Sequence, residues 1–257
     1  MNKNKIKNVL ITGSGKRIGA EIARSFAANQ WNVGIHYNNS VKEAKKLSIE
    51  IEKKYNTKTC LIKADLSDLN QLNKIIPYLN KQLGPINCLI NNAAAFQYDS
   101  LKTLSIKSWE MHINTNIKAP LFLSKNFAKH LPKSIKGNII NIIDQRVWNL
   151  TPHFITYTIS KSALWTLTQT LALSLSPNIR VNAIGPGPTI KSKRQTQKEF
   201  IDQYKRMPLK KKTELKEIVS FINLIIKTPS LTGQMIALDS GQHLGWAQNS
   251  KIYNKED

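Results

Sequence analysis

Short apolar runs alternate with amphipathic stretches from one end of this chain to the other. This is the pattern of βαβ units and a parallel sheet covered on both faces, because doubly buried strands read as continuous Val/Ile/Leu runs while helices repeat their apolar positions every three to four residues. Seven runs read as strands: Asn8–Thr12, Asn32–Tyr37, Thr59–Lys63, Cys88–Asn91, Asn138–Ile143, Arg180–Ile184 and Met235–Leu238. Helices are expected near Ile18–Ala28, Val41–Tyr55, Leu69–Leu83, Ile106–Lys129, Tyr157–Leu175 and Glu214–Ile226, with Ser40 and Ser67 as polar caps at two of the starts. The stretch Pro186–Leu209 is polar, lysine-rich and bracketed by prolines, and it reads as a mobile insertion at a strand's C-terminal end, where open α/β sheets take their ligands. No repeat or linker-like shift interrupts the pattern, so residues 1–257 are expected to form a single doubly wound α/β domain with a seven-stranded parallel sheet.

Charge changes this picture little. The formal charge of +22 would suit an anionic partner, but the lysines are scattered over nearly every expected helix and form no long basic block, so nucleic acid is not an expected partner. No window reaches the roughly 18 to 20 apolar residues of a membrane span, and the run Val9–Ile11 behind the basic start Met1–Lys7 is too short for a signal-peptide core. A cytoplasmic protein is expected. Cys60 and Cys88 both lie in strand-like runs and read as small, reduced core residues.

Candidate chemistry begins where the first strand runs into Thr12-Gly13-Ser14-Gly15-Lys16-Arg17-Ile18-Gly19 and then a helix. That is the context of a dinucleotide-binding turn, with pyrophosphate on the helix N-terminus, Gly13 allowing the tight turn and Gly19 close helix–strand packing. Arg17 stands where many such loops have glycine and adds positive charge. At the end of the second strand, where an NAD enzyme places an acid for the ribose 2′-hydroxyl, the chain reads His36-Tyr37-Asn38-Asn39-Ser40, with Lys42 close behind. Donors and positive charge with no carboxylate favour NADPH. Further on, Tyr157-Thr158-Ile159-Ser160-Lys161 puts a phenol and an ammonium on one helix face. A phenol ionises near pH 10, and a neighbouring cation is expected to bring it towards working pH, where it exchanges a proton with substrate.

Thr12–Gly19, Asn91-Asn92-Ala93-Ala94, Tyr157–Lys161 and Arg180-Val181-Asn182-Ala183-Ile184-Gly185-Pro186-Gly187 together resemble the successive signatures of the short-chain dehydrogenase/reductase family, over nearly the whole chain. The resemblance implies a Rossmann fold. It implies that Gly13, Lys16, Arg17, Ile18 and Gly19 hold the cofactor, that Asn92 and Ala93 line it, and that Asp65 and Leu66 border the adenine. Gly185, Pro186, Gly187 and Thr189 would then shape the nicotinamide pocket, Lys161 would grip the ribose, and Asn116 would belong to the proton relay. The tail from Thr232 through Asp239-Ser240-Gly241-Gln242-His243-Leu244-Gly245-Trp246 resembles the family's last strand and the segment that packs across subunits, which implies a homotetramer.

One departure is chemically large. Thirteen residues before the tyrosine, where relatives usually carry a serine that bonds a substrate carbonyl, Asn141-Ile142-Ile143 is followed by Asp144. A carboxylate repels a developing alkoxide but suits a substrate with N–H donors and ring nitrogens that take a proton. Asp144, with Lys16-Arg17 in the loop and Phe96 after Asn91–Ala95, resembles the pteridine and dihydromonapterin reductases, a branch of the family. That resemblance implies that Phe96 stacks on a pterin, that Arg17 contacts pterin and cofactor phosphate, and that Asp144 and Tyr157 act as a pair on the substrate. Ala94 and Ala95 depart from the serine that the branch often has just before the phenylalanine. The alternatives are a core role for Phe96, a cap or an Arg146 partner in Asp144, a carbonyl substrate, and a non-catalytic protein binding an anionic partner. Arg146 and Trp148 read as exposed loop residues without an assigned role, and His153 as structural.

Overall fold

A computed structural model describes residues 7–192 and 194–245 of the chain. Every expected strand forms: β1 (Lys7–Ile11), β2 (Trp31–Tyr37), β3 (Thr59–Lys63), β4 (Cys88–Asn91), β5 (Gly137–Ile142), β6 (Ile179–Pro186) and β7 (Met235–Leu238). They pair in parallel throughout in the order β3-β2-β1-β4-β5-β6-β7. The order reverses between β1 and β4, and the C-terminal ends of those strands open the crevice where such sheets take ligands. Cores lie on both faces, one led by Phe26, Ile35, Leu47 and Ile222 and the other by Leu72, Ile76, Leu123 and Phe127. Burial on both faces is why Val9–Ile11 and Cys88–Ile90 read as continuous apolar runs, while β2 alternates Trp31, Val33, Ile35 and Tyr37 with Asn32, Gly34 and His36 and buries all seven.

The helices are α1 (Arg17–Ala28), α2 (Val41–Tyr55), α3 (Leu69–Leu83), α4 (Ile106–Ile113), α5 (Ala119–His130), α6 (Ile155–Ser174), α7 (Gln197–Lys205) and α8 (Leu215–Lys227). Three expectations are corrected. The long helix expected over Ile106–Lys129 is broken by a π-helical turn at Asn114–Lys118, where Asn116 spends its side chain on Ala95 and Ser160. At α3 the cap is Asp68, whose carboxylate takes the backbone N–H groups of Asn70 and Gln71, and not Ser67; Ser40 stands at the start of α2 but makes no side-chain capping bond. The segment Pro186–Leu209 carries α7 within a capping box from Thr196 to Glu199, and it buries Phe200 and Met207. Trp246, expected in the tail, lies outside the described residues.

Both cysteines are free and buried, and burial pushes the Cys88 thiol well up. Among the described residues no helix is long and apolar enough to cross a membrane.

Candidate active site

The turn after β1 is fastened from three sides. Gly13 has φ +63°, its N–H donates to His36 Nδ1 at 3.0 Å, and a Cβ on it would stand 3.0 Å from Ala93 Cα. Thr12 Oγ1 accepts the backbone N–H groups of Asn92 and Ala93, both at 3.0 Å, while the Asn92 amide donates to the carbonyls of Thr12 and Gly13. Gly19 has no room for a side chain: a Cβ there would meet the Asn92 amide and the Gly13 carbonyl oxygen at 2.6 Å. Asn92 and Ala93 therefore hold the glycine turn in shape. The first turn of α1 has no side-chain cap and no acid, so its N–H groups and positive dipole end face the crevice. That chemistry fits the diphosphate of a dinucleotide, with Gly13, Lys16, Arg17, Ile18 and Gly19 around it. Arg17 takes the left-handed φ of +56° at its glycine-like position, a strained conformation for a side-chain-bearing residue.

The end of β2 corrects one expectation. His36 is fully buried, with Nδ1 accepting from Gly13 and Nε2 donating to the Ala64 carbonyl at 3.1 Å, and burial holds it neutral, with its pKa lowered to about 4. Tyr37 belongs to the core beside it. The donors that this segment turns outward are Asn38, Asn39, Ser40 and Lys42. After the neighbouring strand β3, Leu66 is core, and the Asp65 carboxylate takes the N–H and hydroxyl of Ser67.

Asp144 and Tyr157 are brought together: Tyr157 Oη donates to Asp144 Oδ2 at 2.8 Å, while Asp144 Oδ1 accepts the Arg146 N–H at 2.9 Å. Asp144 thus caps a 3-10 turn, Gln145–Val147, with one oxygen and holds the phenol with the other. Lys161, fully buried, donates to the Ile142 carbonyl at 2.8 Å and lies 5.8 Å from the Tyr157 ring centre. Burial and the Asp144 carboxylate hold Tyr157 well above the usual phenol range, against the direction in which Lys161 was expected to move it. Burial also lowers Lys161 to about 8, against the pull of Asp144. Asn116 accepts the Ala95 N–H and donates to the Ala95 carbonyl and to Ser160, tying the loop after β4 to α6.

That loop delivers Phe96, whose ring is stacked on Phe154 at 4.7 Å and edge-on to Tyr157 at 4.7 Å. Phe96 is 39% exposed, so it is a wall of the site and not a core aromatic. On the far side, Gly187 packs against Asp239, where a Cβ would stand 2.7 Å from Cα; a Cβ on Gly185 would stand 3.4 Å from the Asp144 carbonyl carbon. Pro186 ends β6, and Thr189 bonds back to the Gly187 carbonyl. Arg17 reaches over this segment, donating to the carbonyls of Ile190 and Lys191 at 3.1 and 3.2 Å.

Several residues were not legible beforehand. Arg194 comes from the expected insertion, lies 4.9 Å from the Phe96 ring centre and donates to the Phe96 carbonyl. Phe154 takes a left-handed φ of +57° at the start of α6, and Arg146, buried and not exposed, stacks on it at 4.9 Å. Asp99, His112 and Thr156 form a buried polar string behind Tyr157. His153 pairs with Tyr98 at 3.2 Å, and Trp148 packs edge-on to Trp165 and His243. Among the described residues no cluster of His, Cys, Asp and Glu could hold a metal ion.

Comparison with known proteins places this geometry. Residues 7–200 match the family model for short chain dehydrogenase. Glucose 1-dehydrogenase 2 of Bacillus subtilis is 28% identical over 93% of this chain and 95% of its own, and an uncharacterized oxidoreductase of Thermotoga maritima is 32% identical over 82% and 78%. Among solved structures, FolM alternative dihydrofolate reductase 1 from Brucella suis, in complex with NADP, superposes with a TM-score of 0.91 at 40% identity, over 96% of this chain and 98% of that one. A blue fluorescent protein from a metagenomic library, in complex with NADPH, gives a TM-score of 0.85 at 27% identity, over 91% and 97%. With its family signatures assembled on one crevice of a seven-stranded parallel sheet, this chain belongs to the short-chain dehydrogenase family of oxidoreductases.

Proposed function

We propose that this protein is an NADPH-dependent reductase of a pterin, taking a dihydropterin such as dihydromonapterin or dihydrobiopterin to the tetrahydro form. The observation that carries the reading is the Tyr157–Asp144 hydrogen bond of 2.8 Å, in which an aspartate occupies the place of the serine usual in relatives. The 40% identity to FolM alternative dihydrofolate reductase 1 from Brucella suis supports it. The cofactor reading is supported by the uncapped, acid-free first turn of α1 and by the NADP and NADPH complexes of the similar structures. Asn38, Asn39, Ser40 and Lys42 are the outward donors for a 2′-phosphate, and Asn92, Ala93, Lys161 and Gly185–Thr189 would hold the nicotinamide half.

Bound NADPH supplies the hydride. The chain's own contribution is to hold the ring and manage the proton. Phe96 offers an aromatic wall 4.7 Å from the Tyr157 ring, with the Arg194 guanidinium 4.9 Å from the Phe96 ring centre, while Arg17, bonded to the Ile190 and Lys191 carbonyls, adds positive charge at the glycine turn. The Asp144 carboxylate accepts N–H donors of a pterin and stabilises positive charge at a ring nitrogen; the same charge opposes an alkoxide formed from a ketone. Tyr157 keeps its proton through neutral pH, and the Asp144–Tyr157 pair is the conduit through which a proton reaches N5 of the ring. Buried Lys161, in its ammonium form, balances the Asp144 charge.

The test is NADPH oxidation by purified protein with dihydromonapterin, dihydrobiopterin and dihydrofolate beside a panel of ketones. Turnover of a dihydropterin is expected; turnover of ketones alone would end the pterin reading. We further propose a homotetramer in the cytoplasm, supported by large apolar side chains left exposed on α4 and α6.

A further inference from the structure

Behind the reacting pair runs a second polar system to which no comparison assigns a role. His112 on α4 is fully buried, and its Nε2 faces the backbone N–H of Gln97 at 3.1 Å. A backbone N–H only donates, so Nε2 is the acceptor and the ring proton sits on Nδ1. From there it donates to Thr156 Oγ1 at 2.7 Å, and the Thr156 hydroxyl donates onward to Asp99 Oδ2. Asp99 is 1% exposed; its Oδ1 also takes the Thr156 N–H at 3.2 Å, and its carbonyl takes the Phe154 N–H at 2.8 Å. Every link therefore has one direction, and the string joins three elements: the loop after β4, α4, and the first turn of α6.

What it joins matters for the site. Gln97 follows Phe96 in the chain, Phe154 is the partner on which Phe96 stacks, and Thr156 precedes Tyr157; the His112 ring itself lies edge-on to Tyr157 at 5.8 Å. Phe154 holds a left-handed backbone that an aromatic residue adopts only when its surroundings impose it, and the Asp99 carbonyl is one of those constraints.

We infer that His112, Thr156 and Asp99 are positioning residues that lock the Phe96–Phe154 wall to the Tyr157 hydroxyl, so that substrate ring and proton donor meet at a set spacing. The inference rests on the pterin reading only for its choice of substrate. A buried network with every donor and acceptor matched specifies one arrangement, and loss of one member leaves a buried carboxylate or imidazole short of a partner.

The test compares Thr156→Val, which keeps the shape and removes the hydroxyl, with Thr156→Ser, which keeps the hydroxyl. Thr156→Val is expected to lower kcat/KM for the dihydropterin by on the order of tenfold to a hundredfold, mostly in kcat, with the NADPH Kd from fluorescence titration unchanged within about twofold. Thr156→Ser is expected to stay within about threefold of wild type. Nitrogen-15 NMR of the wild-type imidazoles needs neither substrate nor a folded variant, and should show His112 as the Nδ1–H form. The inference is overturned if Thr156→Val keeps full kcat/KM, if NADPH binding falls by the same factor as turnover, or if His112 carries its proton on Nε2. If wild type reduces only ketones, the pterin reading fails by itself, and the same variants are then scored on the ketone.

Discussion

Tyr157 Oη donates a hydrogen bond to Asp144 Oδ2 at 2.8 Å, while the Lys161 ammonium turns to the Ile142 carbonyl. The phenol's hydrogen-bond partner is therefore a carboxylate and not the cation one helical turn away, and burial first, then the carboxylate, raise its pKa. The site is built to keep a proton on Tyr157 and negative charge beside it. That polarity is the reverse of what a ketone reductase needs at the carbonyl oxygen.

Removing the charge should expose this. Asp144→Asn is expected to lower the Tyr157 pKa, read as an earlier tyrosinate absorbance change in a pH titration against wild type. With Asp144→Ser, kcat/KM for a dihydropterin is expected to fall by roughly a hundredfold, about 3 kcal/mol of lost transition-state interaction, while any residual ketone turnover rises. Full pterin activity in Asp144→Ser would remove the main reason for the pterin assignment.

Lys161 sets the alkaline limit. Its pKa is lowered to about 8, so the ammonium form that balances Asp144 is lost as pH rises through about 8, and kcat/KM should decline there while Tyr157 remains protonated. Asp144 raises Lys161, so Asp144→Asn should move that limb to lower pH. A pH–rate profile of both proteins checks the sign; a limb that stays in place or moves up would mean that another group titrates.

How much of this was legible beforehand divides along physical lines. Every strand but β6 could be read to within a residue at each end, because apolar and β-branched residues cluster between turn residues; β6 runs two residues further than expected, through Gly185 and Pro186. The break at Asn114–Lys118 was signalled by Pro120, which has no N–H for the Asn116 carbonyl and opens α5, although the apolar period continues through it; the tertiary bonds of Asn116 that fasten the turn were not legible. Of the candidate site residues, Gly13 lies in the turn after β1, Gly19 in the first turn of α1, and Tyr157 and Lys161 on α6, the elements their spacing implied. His36 did not meet its expectation, because whether a strand-end histidine faces ligand or carbonyl depends on Ala64, distant in sequence. Arg194, Phe154 and the His112 string are invisible to pattern for the same reason: their meaning lies in what packs against them.

The glycine turn gives a stability and binding prediction together. A Cβ at Gly19 would stand 2.6 Å from both the Gly13 carbonyl oxygen, which is backbone, and the Asn92 amide, which is pinned by its bonds to the Thr12 and Gly13 carbonyls. Gly19→Ala should therefore cost about 1–3 kcal/mol in denaturant unfolding and weaken NADPH binding at least tenfold, because the same atoms shape the phosphate turn. An unchanged NADPH Kd in folded Gly19→Ala would separate the turn from the cofactor.

Assembly is checked by light scattering on the eluted protein. Ile106 on α4 and Leu173 on α6 are 73% and 83% exposed, large apolar side chains that a monomer would leave in water. A mass of about four times the 29.1 kDa chain is expected, with Ile106→Glu or Leu173→Glu shifting it downward. A monomer at micromolar concentration would contradict the tetramer.

Acid sensitivity follows from the two buried histidines. In His36 burial lowers the pKa from 6.5 to about 4, and His112 is lowered in the same direction. A base whose folded pKa is depressed is held neutral by the fold, so its stabilising contribution is present above the unfolded pKa near 6.5 and lost as pH falls through the folded value. For His36 the full difference is worth roughly 3 kcal/mol, each tenfold change in proton affinity being about 1.4 kcal/mol. The urea midpoint should accordingly drop between about pH 7 and about pH 4. His36→Gln, which keeps an acceptor for Gly13 and a donor for Ala64 without a titrating ring, should flatten that slope. If the slope survives in His36→Gln, His112 carries the histidine part of the response, and the double variant with His112→Gln must flatten the midpoint above the carboxylate range, where Glu50, paired with Arg24, begins to protonate.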